Sequence, residues 1–512
     1  MTVMKQMLVG IFDETRRERR TEFIISALLA ALIFYAITGR GVLNAGFTAD
    51  DWRLIVGNDM DHWRSVGRWA LYLLFRYLFH GNQLALQLPL GFLCFAWVSY
   101  TIAVHAVGEA SSRPWLGLLI FVAGVNHIYM VDALHFDLAV FAFPLSLACS
   151  LGAFMLMMRA ATIQSTWLIR ASLGLLAIQI LALELAFYEP FVFFGAILPI
   201  LALIRSDRFT VRTSVSMLIF SLALISSALI LHHVQWTLIV EARSRSEGTF
   251  HPPVNVLHQL NSLPTAIRHI LSGNLLLPPI WIKVPLFGIA LAAGAAPAIA
   301  TYVRIRTVTA MPVLRSAAAG LLVIVGLPVL YWFATLQNYC PPRGVAYLGF
   351  WEAALLCSAL TVLGRTTPWL GRGVMATLVS FAMINVVASA MAWSDRAKLS
   401  RAEVALASEI VDALESLPGY TNQRVRLIGT RSFPIHNWGP SLGMSVFHRG
   451  EPIFQEPYPL HGLFKDGFGN QGRFESPRSS NISCPAFPAP GSVFMQDGIA
   501  YVCLAANGPQ MH

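Results

Sequence analysis

The chain has 512 residues, of which 56% are hydrophobic and only 12% are charged, and its mean hydropathy is +0.60. So much apolar surface excludes a water-soluble globular protein and indicates a polytopic membrane protein. The net charge of +9 does not indicate nucleic-acid binding, because the basic residues form short clusters between apolar segments rather than a stripe with aromatic stacking platforms. Six scattered cysteines include no CxxC pair and no zinc-type spacing, which argues against a structural metal site.

A basic segment, residues 1–22, precedes the first apolar run, which extends from Phe23 to about Leu43. Basic residues ahead of a first span predict a cytoplasmic N-terminus. The run is longer than a signal-peptide core and lacks a small-x-small cleavage site, so we interpret it as a retained helix. A shorter apolar segment, Leu71 to Phe79, is interrupted by Arg76 and predicts an interfacial helix.

Further apolar stretches have about the length that a membrane-spanning helix needs. They run from Leu84 to Val107, Trp115 to Val131, Leu138 to Met158, Ala171 to Phe187, Pro190 to Ile204, Ser214 to Leu231, Val284 to Val303, Ala317 to Ala334, Val345 to Leu363 and Val374 to Trp393. The sequence therefore predicts an all-α membrane domain, residues 23–393, with about eleven spans. Every connection predicted to lie inside carries arginine, as the positive-inside rule requires.

Two long connections, residues 46–83 and 232–283, are predicted to be external, and the second contains Arg243 and Arg245. After Trp393 the composition becomes polar, and residues 394–512 predict a small external α+β domain with a helix near Arg401–Leu417. Its cysteines, Cys484 and Cys503, would close a loop of about 20 residues, and an oxidising compartment favours their pairing as a disulfide.

The first external connection carries the densest charge near the membrane. Asp50 and Asp51 follow the first helix directly, and Arg68 lies further on among tryptophans suited to a lipid headgroup layer. An ordinary solvated loop with aromatic anchors is the simpler interpretation of such a segment. We favour Asp51 over Asp50 as a general base, because Asp51 precedes Trp52 and is expected to begin the interfacial helix. Adjacent side chains diverge, so the two aspartates should contribute unequally.

Other polar residues collect at the predicted outer ends of spans: Asp132, His135 and Asp137 in DALHFD, Tyr188 and Glu189 before Pro190, and Arg343 in QNYCPPRG. Charged side chains within a membrane tend to face one another or a water-filled cavity, so these residues predict a polar pocket at the outer surface. Simpler roles remain open. The aspartates could cap helices, His135 could be a packed turn residue, Glu189 could begin a helix, and Arg343 could reach lipid phosphate.

The Asp50–Asp51 pair after an N-in helix, together with Gly67-Arg68-Trp69, resembles the glucosyl transferase GtrII family of bacterial and phage O-antigen modification. The resemblance implies a C-type glycosyltransferase architecture in the bacterial inner membrane. It also implies a hexosyltransferase that moves a sugar, expected to be glucose, from a polyprenyl-phosphate donor to a polysaccharide, such as that of lipopolysaccharide, or a lipid-linked glycan. Transfer would occur at the periplasmic face, where the C-terminal domain would also lie.

Within that interpretation, Arg68 and Arg343 are suited to the donor phosphate, since arginine offers a forked set of donors. An aspartate would take the proton of the acceptor hydroxyl and transfer would invert the anomeric carbon. No metal is required, although Asp50 and Asp51 could hold Mg²⁺ or Mn²⁺. The expected partners are the lipid-linked donor, the glycan acceptor and membrane lipids. A lipid-linked sugar flippase, or a transferase of phosphoethanolamine or acyl groups, is the alternative.

Overall fold

The computed structural model describes residues 14–45, 63, 67–80, 83–107, 114–136, 139–205, 211–239, 279–305, 313–314, 317, 319–320, 342–429, 431, 433, 462–478 and 482–505. Within these residues the chain is mostly helical, because a helix satisfies its own backbone hydrogen bonds where no water is present. A small sheet follows the helices near the C-terminus.

The α-helices are, in chain order, α1 (Glu14–Phe34), α2 (Arg40–Ala45), α3 (Trp69–Leu73), α4 (Leu84–Val107), α5 (Pro114–Val125), α6 (Ile128–Leu134), α7 (Ala139–Thr162), α8 (Trp167–Tyr188), α9 (Ile197–Arg205), α10 (Val211–Ile239), α11 (Ile280–Ile305), α12 (Leu348–Thr366) and α13 (Pro368–Glu415). π-Helical turns join α1 to α2 (Tyr35–Gly39) and follow α3 (Leu74–Leu78), and 3-10 helices cover Glu189–Ala196 and Pro342–Val345.

Among the described residues, eight helices are long and apolar enough to cross a membrane. The count rises to nine if α5 and α6, which meet at a 64° bend, form one broken span. The sequence predicts about eleven spans, and the difference has two sources. The predicted span Ala317–Ala334 lies largely outside the described residues, and two predicted spans fall within the single helical segment Trp167–Ile204.

The segment Trp167–Ile204 folds back on itself at Tyr188, whose backbone is extended (φ −160°, ψ 98°). Glu184, before this break, bonds to Ser146 of α7, and Tyr188 stacks on Phe143. After the break, the chain returns along α7, since the backbone N–H of Gly195 donates to the Ser150 hydroxyl. The turn predicted between Tyr188 and Pro190 is therefore a reversal of chain direction at one end of the bundle.

The packing also orients the two ends of the chain. α1 runs antiparallel to α4, because Ser26 bonds to Tyr100 while Phe34 packs against Phe95. Beyond α1, the backbone of Gly41 in α2 packs so closely against the Trp393 ring of α13 that a Cβ atom would not fit there. Since α13 continues past this contact to Glu415, the C-terminal sheet lies beyond the bundle end at which α2 finishes, and α1 begins at the opposite end.

Reporter fusions at Arg208 and Gly450 should therefore report opposite sides of the membrane. The reason is the alternation of arginine-bearing connections with apolar spans, which places position 208 inside and position 450 outside. A periplasm-active phosphatase and a cytoplasm-active fluorescent protein, each fused at both positions, provide complementary readouts. Signals from the same compartment at both positions would contradict the predicted topology.

Two predicted boundaries lie inside continuous helices. α10 extends to Ile239, so the connection predicted to begin at residue 232 starts with two further helical turns. α13 passes through the predicted domain boundary at residues 393–394 without interruption, and the helix predicted near Arg401–Leu417 is its last part. The segment predicted as an interfacial helix is helical over α3 and its π-helical turn, in which Leu71 and Phe75 are buried. Its position at the membrane interface stays a prediction.

The C-terminal sheet contains β1 (Arg424–Ile428), β2 (Arg473–Arg478), β3 (Val493–Gln496) and β4 (Ile499–Cys503), in the order β2-β1-β4-β3. β1 is parallel to both β2 and β4, and β3 pairs with β4 in the antiparallel sense. One face, which includes Val425 and Leu427, packs against Leu406 and Leu414 of α13. The other face carries Cys503, whose sulfur is bonded to that of Cys484.

Thiol labelling of unreduced, unfolded protein should leave Cys484 and Cys503 unmodified, while Cys94, Cys149 and Cys357, which are free in the structure, react.

In the chain-entropy picture a disulfide that closes a loop of this length contributes about 3 kcal/mol to stability. Cys503→Ser should accordingly lower the thermal unfolding midpoint of the C-terminal unit, whereas Cys94→Ser serves as the matched control. Free reaction of both predicted partners in the wild-type chain would exclude the bond.

Candidate functional site

Arg68 is positioned by a tight turn. Gly67 adopts φ +89°, a conformation that glycine accepts without strain, and the Arg68 backbone N–H donates to the Trp63 carbonyl at 2.9 Å. α3 begins at the next residue, Trp69. This geometry gives a physical reason for glycine before arginine in Gly67-Arg68-Trp69, because the turn directs the arginine side chain back toward the helical bundle.

The Arg68 guanidinium forms an ion pair with Glu189, with Nε and Oε2 separated by 3.1 Å. Both side chains are largely buried, at 17% and 7% exposed. The Arg68 Cζ also lies over the rings of Tyr188 and Trp63, at 4.9 and 5.1 Å from their centroids. Aromatic rings and a carboxylate therefore hold the cation at the bundle end where α8 reverses. Because guanidinium has further N–H donors, it can bind an anion while it keeps Glu189.

Glu184 and Glu352 are two further carboxyl groups buried within apolar helices of the described chain. Glu184 is fully buried one turn before Tyr188, and it accepts a hydrogen bond from the Ser146 hydroxyl at 2.9 Å, so it faces the bundle interior rather than lipid. Glu352 of α12 is also buried, and it is not among the residues predicted for the site. Its position inside an apolar run could have identified it, because carboxylates in membrane helices often mark functional positions.

His135 and Asp132 belong to a second polar group at the same end of the bundle. Asp132 is buried on α6, and His135, which follows α6, packs edge-on against the Trp393 ring with centroids 4.4 Å apart. Burial, together with the positive charge of Arg396, lowers the pKa of His135 well below its ordinary value. Arg396, which is 2% exposed, is not among the residues predicted for the site, because an arginine after a span normally faces water.

The 3-10 helix Pro342–Val345, which carries Arg343, connects the two polar groups. It contacts both α6, the helix of Asp132, and the 3-10 helix that begins at Glu189. The structure therefore brings together three predicted elements from distant parts of the chain. The remaining predicted site residues lie outside the described residues: Asp50, Asp51, Asp137, Arg243 and Arg245.

Within the described residues, no three His, Cys, Asp or Glu side chains lie close enough together to form a metal site. The pair named as metal ligands, Asp50 and Asp51, is not among those residues. Metal dependence therefore stays a prediction. Among the described groups, the guanidinium of Arg68 can bind a phosphate, and the carboxyl group of Glu189 lies beside it.

These features define a membrane protein with many helical spans and a buried charged site at one end of its bundle. The sequence model of the glucosyl transferase GtrII family matches residues 39–337, more than half of the chain. The chain belongs to this family, which confirms the resemblance drawn from residues 49–69, and it is accordingly a membrane glycosyltransferase. Comparisons with curated proteins and with solved structures gave no significant match.

Proposed function

We propose that the protein transfers glucose from a polyprenyl-phosphate donor to an envelope glycan, such as an O-antigen polysaccharide, or to a lipid-linked glycan. Transfer would take place at the periplasmic face of the bacterial inner membrane. The buried Arg68–Glu189 pair carries this proposal. A lipid-linked sugar keeps its phosphate near the headgroup layer, and a guanidinium held at the end of a helical bundle is placed to bind it.

In this mechanism the acceptor oxygen forms a bond to the anomeric carbon as the bond from that carbon to the phosphate oxygen breaks. Attack from the opposite side inverts the anomeric centre. The acceptor proton passes to a carboxylate, for which we propose Asp51 assisted by Asp50. The electron pair of the broken bond leaves with polyprenyl phosphate, whose charge Arg68 stabilises and Arg343 is proposed to share.

Glu189 has a positioning role in this scheme. It contacts Arg68 rather than the reacting atoms, and with Tyr188 it fixes the direction of the guanidinium. Preorganised charge lowers the barrier because the protein does not have to reorient during the reaction. Asp132 and His135 are proposed to line the acceptor side of the same pocket, with Asp137, Arg243 and Arg245 contributed by neighbouring loops.

A donor comparison tests the proposal. Purified protein in vesicles should form a radiolabelled glycoside from polyprenyl phosphate glucose and a glycan acceptor, and it should form none from UDP-glucose. Transfer from UDP-glucose alone would contradict the lipid-linked donor. Movement of the labelled lipid across the vesicle membrane without glycoside formation would instead support the flippase alternative.

A further inference from the structure

A groove separate from the Arg68 site lies where α1 and α2 pack against α13. Its volume is about 320 Å³, at the small end of the range for ligand pockets. Two arginines line it, Arg40 from α2 and Arg401 from α13, together with polar Asn44 and Ser394. None of the described residues that line the groove is acidic, so these residues give it a net positive charge.

The α13 wall follows helical spacing. Ala390, Ser394, Ala397 and Arg401 recur at intervals of four, three and four residues, which places them on one face of the helix. Small residues at three of these positions leave room between the helices. On the facing wall, Ala36 belongs to the π-helical turn Tyr35–Gly39, and such turns are frequent at functional sites.

The Arg401 side chain bends back toward the apolar part of its helix. Its Nε donates to the Ala397 carbonyl at 3.1 Å, one turn nearer the span. An arginine whose guanidinium is simply solvated would extend away from the span into water. Arg401 lines the groove together with the buried Trp393 ring.

One turn before the groove's lining residues, α1 and α13 each carry an apolar side chain that the protein leaves exposed. Leu32, one turn before Ala36, is 66% exposed, and Val387, one turn before Ala390, is 44% exposed. A groove that is basic at the level where two spans end and apolar along its length matches a lipid with an anionic headgroup. Its described lining residues include no carboxylate, the group that commonly binds sugar hydroxyls.

We propose that this groove binds the phosphate headgroup of an anionic phospholipid from the surrounding membrane, with its acyl chain along Leu32 and Val387. Arg40 and Arg401 hold the phosphate, and net positive charge selects an anionic over a zwitterionic headgroup. The indole of Trp393 lines this groove and also packs against His135. The proposal does not depend on the transferase reaction.

Native mass spectrometry of the delipidated full chain tests it, with phosphatidylglycerol, phosphatidylethanolamine and polyprenyl phosphate as probes. Wild type should bind one phosphatidylglycerol more tightly than either other lipid. Arg40→Gln and Arg401→Gln should each weaken that binding about tenfold, as expected for the loss of one charge-assisted contact. Both arginines are exposed, so the fold should persist, and Arg401→Lys should retain most of the binding.

Arg372→Gln is the matched control, because it removes an exposed arginine from the opposite end of α13. Its lipid binding should equal that of wild type. Equal binding of phosphatidylglycerol and phosphatidylethanolamine would overturn the proposal, as would unchanged binding in both groove variants. Selective binding of polyprenyl phosphate would also overturn it, because the groove would then belong to the lipid carrier.

Discussion

Glu189→Gln should abolish most transfer activity and also destabilise the bundle, because it leaves the largely buried guanidinium of Arg68 without its carboxylate. Breaking a buried ion pair by removing one partner typically costs several kcal/mol, and the remaining exposure of Arg68 reduces the expected loss to roughly 2–3 kcal/mol. The thermal unfolding midpoint in detergent measures the structural part. Initial rates of glucose transfer measure the functional part.

The double variant Arg68→Gln, Glu189→Gln separates these two effects. Because neither buried charge then remains, stability should recover toward that of wild type. Activity should stay low, since the donor phosphate has lost its cation. Arg76→Gln, which removes a nearby arginine over the Tyr72 ring, is the control and should keep near-normal transfer. Recovery of both stability and activity in the double variant would show that the pair is purely structural.

Asp51→Asn should lower the rate of transfer by about 10²–10⁴-fold, the usual contribution of a general base. Asp50→Asn should have a smaller effect, because adjacent side chains cannot readily approach the same proton. Asparagine keeps the size of the side chain, so expression and membrane insertion should be normal. The loss should appear in kcat with little change in KM for the donor.

Asp59→Asn is the matched control for these substitutions, as it removes a carboxylate from the same predicted loop. It should retain near-full activity. If Asp50→Asn and Asp51→Asn both transfer glucose at the wild-type rate, neither residue is the general base. The pair would then act only as a helix cap or surface group, as the simpler interpretation of the sequence allows.

Long apolar runs were the most predictable part of the fold. α4 has the predicted bounds, Leu84 to Val107, because an uninterrupted apolar segment in lipid has no alternative to a helix. Helix breaks were less predictable. The predicted span Trp115–Val131 bends at Asn126 and His127, where the backbone of His127 leaves the helical region. The two polar residues within the apolar run indicate a possible break in the helix, but they do not determine the angle between its two halves.

The candidate site shows a similar limit. Arg68, Tyr188 and Glu189 could be predicted to lie at one end of the bundle, because the alternation of basic connections with apolar spans assigns each loop to one face of the membrane. The sequence could not pair Arg68 with Glu189, which is 121 residues away, since that contact depends on how α3 packs beside α8. Nor could it show that Arg396 is buried, because the charged residues after Trp393 read as the start of a polar domain.

The position of a bound donor shows whether Arg68 binds the donor phosphate. An experimental structure of the full chain with a non-reactive polyprenyl phosphate glucose analogue should place a phosphate oxygen about 3 Å from the Arg68 guanidinium. The glucose should face the Asp50–Asp51 segment, with the polyprenyl chain leaving toward lipid. A phosphate bound at the opposite end of the bundle, or at this end without contact to Arg68, would contradict the account.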